Sequence, residues 1–141
     1  MARSKLTDKE LDYLKKKITA NVVVLDSSGL PHITPIWVVE HKGRLYFSTT
    51  TNRVKYNHIT HNQNIGINVL DPKGYPWISI AGHGSIKSQD QFSEYRAVAD
   101  KIIHKYQTDA SKIEEYRELL TKSDRILIEL TPAEIIASGL S

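Results

Sequence analysis

Three turn clusters, Asp26-Ser27-Ser28-Gly29, His41-Lys42-Gly43 and Asp71-Pro72-Lys73-Gly74, cut this chain into short runs of β-branched and aromatic residues. Short turns between strands permit only antiparallel neighbours, because a parallel pair needs a crossover of a dozen residues or more. The runs Asn21–Leu25, Pro31–Glu40, Arg44–Thr49, Ile65–Leu70, Trp77–Ile86 and Arg125–Leu130 therefore predict a meander, with the tail Ile135-Ile136-Ala137 packing or pairing nearby. Pro31 and Pro35 cannot donate to a ladder, so the second strand lies at an edge or a bulge. Gly82 and Gly84 mark a bend in the fifth strand, or a place where a ligand or another backbone comes close.

Helical spacing is confined to four places. Thr7 and Glu10 have capping-box spacing ahead of Leu11, Leu14 and Ile18, and Arg53–His61 is weakly periodic around Val54 and Ile59. Ser88 and Gln91 have the same box spacing ahead of Phe92, Tyr95, Ala99, Ile102 and Tyr106, and Ser111 and Glu114 open a further helix with Ile113, Tyr116 and Leu120 inward. With its long helical insertion just before the last strand and no βαβ alternation, the chain reads as α+β. The expected fold is a six- to seven-stranded antiparallel barrel, closed or half-closed, with helices outside. At 141 residues it fits a single domain, 1–141. A small barrel has little interior room, so a large ligand would bind on its surface or between subunits.

The absence of cysteine removes disulfides, thiolate metal sites and thiol nucleophiles together and makes the cytoplasm the default compartment. Neither a signal-peptide pattern in Met1–Glu10 nor an apolar run of about 20 residues for a membrane span is present. The net charge of +3 is spread along the chain, with only Arg53–His61 locally basic, which argues against a nucleic-acid reader. His58 and His61 are too few for a zinc site, and no Gly-x-Ser-x-Gly elbow supports a hydrolase, so no metal and no nucleophilic triad is expected.

The chemistry-bearing segment is Ser48-Thr49-Thr50-Thr51-Asn52-Arg53-Val54-Lys55, where a strand runs into a helix. Backbone N–H groups freed at a helix start, side-chain hydroxyls and two cations make a natural anion site, with phosphate the obvious guest. The same residues also fit a polar loop that merely caps a helix.

Gly29–Trp37 with its Pro-His-x-x-Pro-x-Trp pattern, Leu45–Thr49, and Arg53-Val54-Lys55 followed by Ile59 and Asn62 come in an order that resembles one family. With Gly82 and the ending Arg125–Pro132, they are similar to the split-barrel flavin and deazaflavin oxidoreductases, the superfamily that includes pyridoxamine 5′-phosphate oxidase. The Val-Lys helix start is most similar to the branch that uses coenzyme F-420, an 8-hydroxy-deazaflavin; other members bind FMN. The resemblance implies a split barrel and a homodimer with the cofactor at the subunit interface.

It also implies that Lys55 holds the cofactor phosphate with Arg53, Asn52, Thr50, Thr49 and Ser48. The backbone of Ile33, Thr34, Pro35, Ile36 and Trp37 would lie along the flat ring. Trp37 is equally readable as a core or interface aromatic, and Trp77 either does the same or closes the pocket from a partner subunit. Tyr56-Asn57-His58 departs from the family's more basic stretch; Lys42, Lys73, His58 and His61 are candidates for meeting the acidic lactyl-glutamate tail of F-420.

The implied reaction is hydride transfer between a deazaflavin and a small electron-poor substrate, in which the ring carries the chemistry and no catalytic side chain need exist. The proton comes from solvent or from a nearby Tyr or His; Tyr75 and His83 are candidate donors, each also readable as a surface or structural residue. The alternatives are an FMN-dependent reductase or oxidase and a non-catalytic flavin-binding protein on the same scaffold. A pyridoxamine phosphate oxidase proper is disfavoured, since the short chain shows no C-terminal Arg and His pair for a second phosphate.

Overall fold

The computed structural model describes residues 3–141; Met1 and Ala2, the start of the stretch read above for a targeting signal, lie outside the described residues. The elements run α1 (Asp8–Tyr13), β1 (Ala20–Leu25), β2 (Pro31–Ile36), β3 (Val39–His41), β4 (Arg44–Thr50), α2 (Val54–His61), β5 (Asn64–Leu70), β6 (Trp77–Lys87), α3 (Tyr95–Tyr106), α4 (Ala110–Leu120) and β7 (Arg125–Ser138). All the strands form one seven-stranded antiparallel sheet in the order β2-β1-β5-β6-β7-β4-β3. Its two outermost strands, β2 and β3, are joined by Trp37 and Val38 alone. Seven flat strands would hold their outer members roughly 29 Å apart, whereas the step from Ile36 to Val39 spans at most about 11 Å. The sheet must therefore curl until its edges approach, which makes it a barrel split along the β2/β3 seam.

The expected single strand over Pro31–Glu40 is thus two strands. The break falls where α3 captures the backbone of Val38: its N–H donates to the Tyr106 hydroxyl (3.2 Å) and its carbonyl accepts from Lys105 Nζ (2.6 Å). Neither group is left for a ladder. β2 is an edge strand, as its two prolines require. The capping box expected at Ser88 and Gln91 does not start α3; the helix begins at Tyr95 behind Glu94, which makes no side-chain cap bond, and Phe92 packs just ahead of it. The box at Thr7 and Glu10 does form, and the tail is the second half of β7, paired along β6.

Alternation in the strands creates two cores. Val22, Leu45, Phe47, Ile67, Ile80 and Ile128 fill the barrel with Tyr13 at the end of α1, Leu14 just after it, and the α2 residue Ile59. On the outside, Val39, Tyr46 and Leu127 meet Val98, Ala99, Ile102, Ile103 and Tyr106 of α3 and Leu120 of α4. The helical insertion therefore roofs β3, β4 and β7.

Gly82 sits at a register shift between β6 and β7, where an added Cβ would run into the Thr131 carbonyl and the Ala133 nitrogen. Gly82→Val should cost about 3 kcal/mol or more, read as a lowered urea midpoint, because backbone cannot step aside as a side chain can.

Glu10 is 2% exposed and receives Arg3 at 2.7 and 2.8 Å and the Thr7 N–H at 2.9 Å. Burial pushes its carboxyl up, but the Arg3 and Thr7 bonds outweigh that and hold it below the ordinary value. A carboxyl lowered in the folded state adds stability above its unfolded pKa and loses it as pH falls through the folded one. Glu10→Gln should therefore cost about 1–2 kcal/mol at neutral pH, and in denaturation curves the gap to wild type should close below about pH 4.

Candidate functional site

The end of β4 delivers the chain through Thr51 and Asn52 to Arg53, the N-cap of α2. Arg53 is extended (φ −85°, ψ 151°) and makes no side-chain cap bond, and the first turn carries no acidic residue. The nearby hydroxyl that could cap, Thr50 Oγ1, is bonded to Asn52 Oδ1. The first N–H groups of α2 are thus left without a side-chain acceptor, at the positive end of the helix dipole.

Beside this helix start lies a cleft of about 430 Å³ between the seam and the roof. Pro35, Ile36 and Trp37 form one wall, Ser48 and Thr49 the floor, and Tyr116, Leu119 and Leu120 of α4 with Ile102 and Ile103 of α3 the other side. Trp37 stacks on Tyr106 at 5.0 Å with ring planes 3° apart, and Tyr116 leans against Trp37 at 5.1 Å. The result is an aromatic and aliphatic slot suited to a flat ring.

Arg53, Lys55 and Arg125 also line the slot. Lys55 Nζ donates to Thr34 Oγ1 (3.1 Å) and Arg125 Nη1 to Ser48 Oγ (3.4 Å). Burial, and secondarily the Arg53 charge, lowers the Lys55 pKa. Elsewhere Arg3, Arg44 and Arg117 sit on carboxylates; among the described residues no ion pair involves Arg53, Lys55 or Arg125. Three cations lining one cleft with no ion-pair partner can receive an anion.

The fold brings Ser48, Thr49, Arg53, Lys55, Pro35, Ile36 and Trp37 to one cleft, with Thr34 at its edge through Lys55. Thr50 and Asn52 face instead an adjoining polar cavity of about 440 Å³, which shares Arg53, Arg125 and Leu119 with the cleft and adds Lys122 and Asp124. Trp77 is not part of either; it begins β6 opposite Leu70 and Ser138, at the other end of the strand from Lys87. Tyr75 is exposed on a turn, and His83 lines a separate groove over β1, β5 and β6 with Asn64 and Ala133, so neither proton-donor candidate lies in this cleft.

Of the residues considered for an acidic tail, Lys42 pairs with Glu94 (2.7 Å), His61 bonds the Asn57 carbonyl (2.9 Å), and His58 stacks on His32 at 4.6 Å. No cluster of metal-ligating side chains is present among the described residues. Sequence reasoning passed over Arg125 and Tyr116. Arg125 read only as the first residue of a strand; the register that sets it opposite Thr50 carries its guanidinium to the cleft. Tyr116 read as a core position of an amphipathic helix, and its face is half core and half cleft.

The family model for pyridoxamine 5′-phosphate oxidase matches residues 6–139. No curated protein matches the sequence. Among solved structures, an F420 reductase superposes with a TM-score of 0.70 at 21% identity, covering 93% of this chain and 98% of its own. A conserved hypothetical protein from Mycobacterium tuberculosis gives 0.78 at 14% identity over 97% and 88%, and General Stress Protein 26 from Bacillus anthracis gives 0.67 at 15% identity over 95% and 94%. With the strand order, the seam and the match over nearly its whole length, the chain belongs to the pyridoxamine 5′-phosphate oxidase family of split barrels.

Proposed function

We propose that the cleft binds the deazaflavin coenzyme F-420 and that the protein is an oxidoreductase acting on a small electron-poor substrate. The observation that carries this reading is the pairing of a ring-sized aromatic slot with three cations that have no carboxylate partner. Both halves fit the coenzyme: Trp37, Pro35 and Tyr116 suit the flat ring, while Lys55, Arg53, Arg125 and the free N–H groups of α2 suit the phosphate. The likeness to an F420 reductase supports the choice of coenzyme. FMN is the second reading, favoured by the family match, since it presents the same ring shape and phosphate.

The bound coenzyme would supply two-electron hydride chemistry. The chain's own part is to fix the ring against Trp37, neutralise the phosphate and keep water from the slot with the aliphatic side chains of Ile102, Ile103 and Leu119.

A homodimer fits the same reading. The outer faces of β1, β5, β6 and the tail of β7 present Val23, Gly66, Ala81 and Ile136 with no helix over them, and Ile136 is 52% exposed. No helix among the described residues is long and apolar enough to cross a membrane.

Parallel titration of the purified protein with F-420 and FMN, followed by fluorescence, should show micromolar or tighter binding with F-420 preferred. A preference for FMN would move the reading to an FMN-dependent reductase or oxidase, and binding of neither would remove it. Lys55→Ala should weaken either cofactor by about 1.5–3 kcal/mol, the scale of a charge-assisted hydrogen bond.

A lysine with a lowered pKa loses its charge early, so affinity should be full at neutral pH and decline with alkalinity before the ordinary lysine value of 10.5 is reached. Lys55→Arg should flatten that decline, because a guanidinium keeps its charge. An unchanged pH profile in Lys55→Arg would remove Lys55 from the anion site.

A further inference from the structure

The polar cavity next to the cleft, lined by Thr50 and Asn52, is distinct from the aromatic slot. It shares Arg53 and Arg125 with the cleft, and its remaining charged lining is Lys122 and Asp124, an excess of cations over carboxylates. It opens at the C-terminus of α4, where the last helical carbonyls would ordinarily repel an anion. Here they are all engaged. The Thr121 hydroxyl donates to the Arg117 and Glu118 carbonyls, Lys122 N–H to Leu119 and the Tyr95 hydroxyl to Leu120.

The loop that follows is equally occupied. The Lys122 carbonyl accepts from Arg125 N–H and Gln89 Nε2, and the Asp124 carbonyl from Thr51 N–H. With these carbonyls satisfied by donors of the protein, the side-chain cations dominate what the cavity presents to a ligand.

We infer that this cavity is a second anion subsite, continuous with the first, which takes a carboxylate-bearing extension of the bound cofactor. Arg53 and Arg125 stand at the boundary and serve both anionic groups, and Lys122 serves the outer one alone. This rests on the cofactor reading above and refines it: the ligand carries two anionic groups separated by a short linker, as F-420 does with its phosphate and its lactyl-glutamate tail. The tail thus meets Lys122 and Arg125 rather than Lys42, which is held by Glu94. Asp124 tempers the attraction, which gives the subsite a residue whose neutralisation should improve binding.

The test compares F-420 with 8-hydroxy-5-deazariboflavin 5′-phosphate, which keeps ring and phosphate and lacks the tail, by fluorescence titration at low and high salt. Wild type should prefer the tailed ligand about tenfold at low ionic strength, and the preference should collapse in about 1 M salt, as expected for exposed charges. Lys122→Ala should narrow the affinity ratio about threefold and Asp124→Asn should widen it by a similar factor, opposite changes that general loss of structure cannot produce. Tight binding of both ligands with a ratio near one, or a ratio that neither substitution moves, overturns the second subsite and leaves the cofactor reading standing. Failure of the protein to bind either ligand overturns both.

Discussion

The two-residue crossing between β2 and β3 depends on one set of hydrogen bonds, those made by the last turn of α3. Tyr106 accepts from Val38 N–H and donates to the Ile18 carbonyl (2.6 Å), while Lys105 Nζ bridges the carbonyls of Val38 and Leu14 (2.6 and 2.7 Å). A crossing at this point leaves buried backbone groups that no strand can satisfy, at a cost of several kcal/mol if nothing else did. The ammonium is a costly donor to use here, since burial pushes the Lys105 pKa down to about 8, and it is spent on two carbonyl acceptors. The short link limits how far apart the sheet edges can lie, and this clamp fixes the path of the link.

The cleft follows from the same clamp. Trp37 is one residue from Val38 and lies flat on the ring of Tyr106, so the group that fixes the crossing also fixes the slot's aromatic wall. The roof formed by α3 and α4 serves two purposes at once: one face completes the outer core over Tyr46 and Leu127, and its margin bounds the cleft. Packing and site therefore share residues, which makes a rigid wall opposite a loop of charge. The cations that line the same cleft repel one another, and the Arg53 charge contributes to the lowered pKa of Lys55.

Most of the fold could be read from the sequence because its signals are local. Turn clusters, β-branched runs and two prolines specify an antiparallel meander with β2 at an edge, and Gly82 signals the close approach that Thr131 provides. The break at Trp37-Val38 was not legible, since its cause is the hydroxyl of Tyr106, 68 residues away. At the site, the strand-to-helix run Ser48–Lys55 announces itself by composition, whereas Arg125 is placed by cross-strand register and Tyr116 by helix rotation, neither of which a single sequence displays. Trp77 and Trp37 look alike as isolated aromatics, and only the fold separates them: Trp37 lines the cleft, while Trp77 starts β6 four strands into the sheet and does not.

The split seam also makes the barrel an incomplete hydrogen-bonded surface. β2 is laddered to β1 on one side only, so the backbone amides and carbonyls along its other side face the seam without strand partners. A flat polar ring edge docked there would occupy the place of a missing strand. Such an occupant would act as a structural member of the sheet, and the folded population would rise with its concentration as mass action dictates. Thermal stability and ligand occupancy would then be one coupled quantity, set at the edge where the chain crosses between strands.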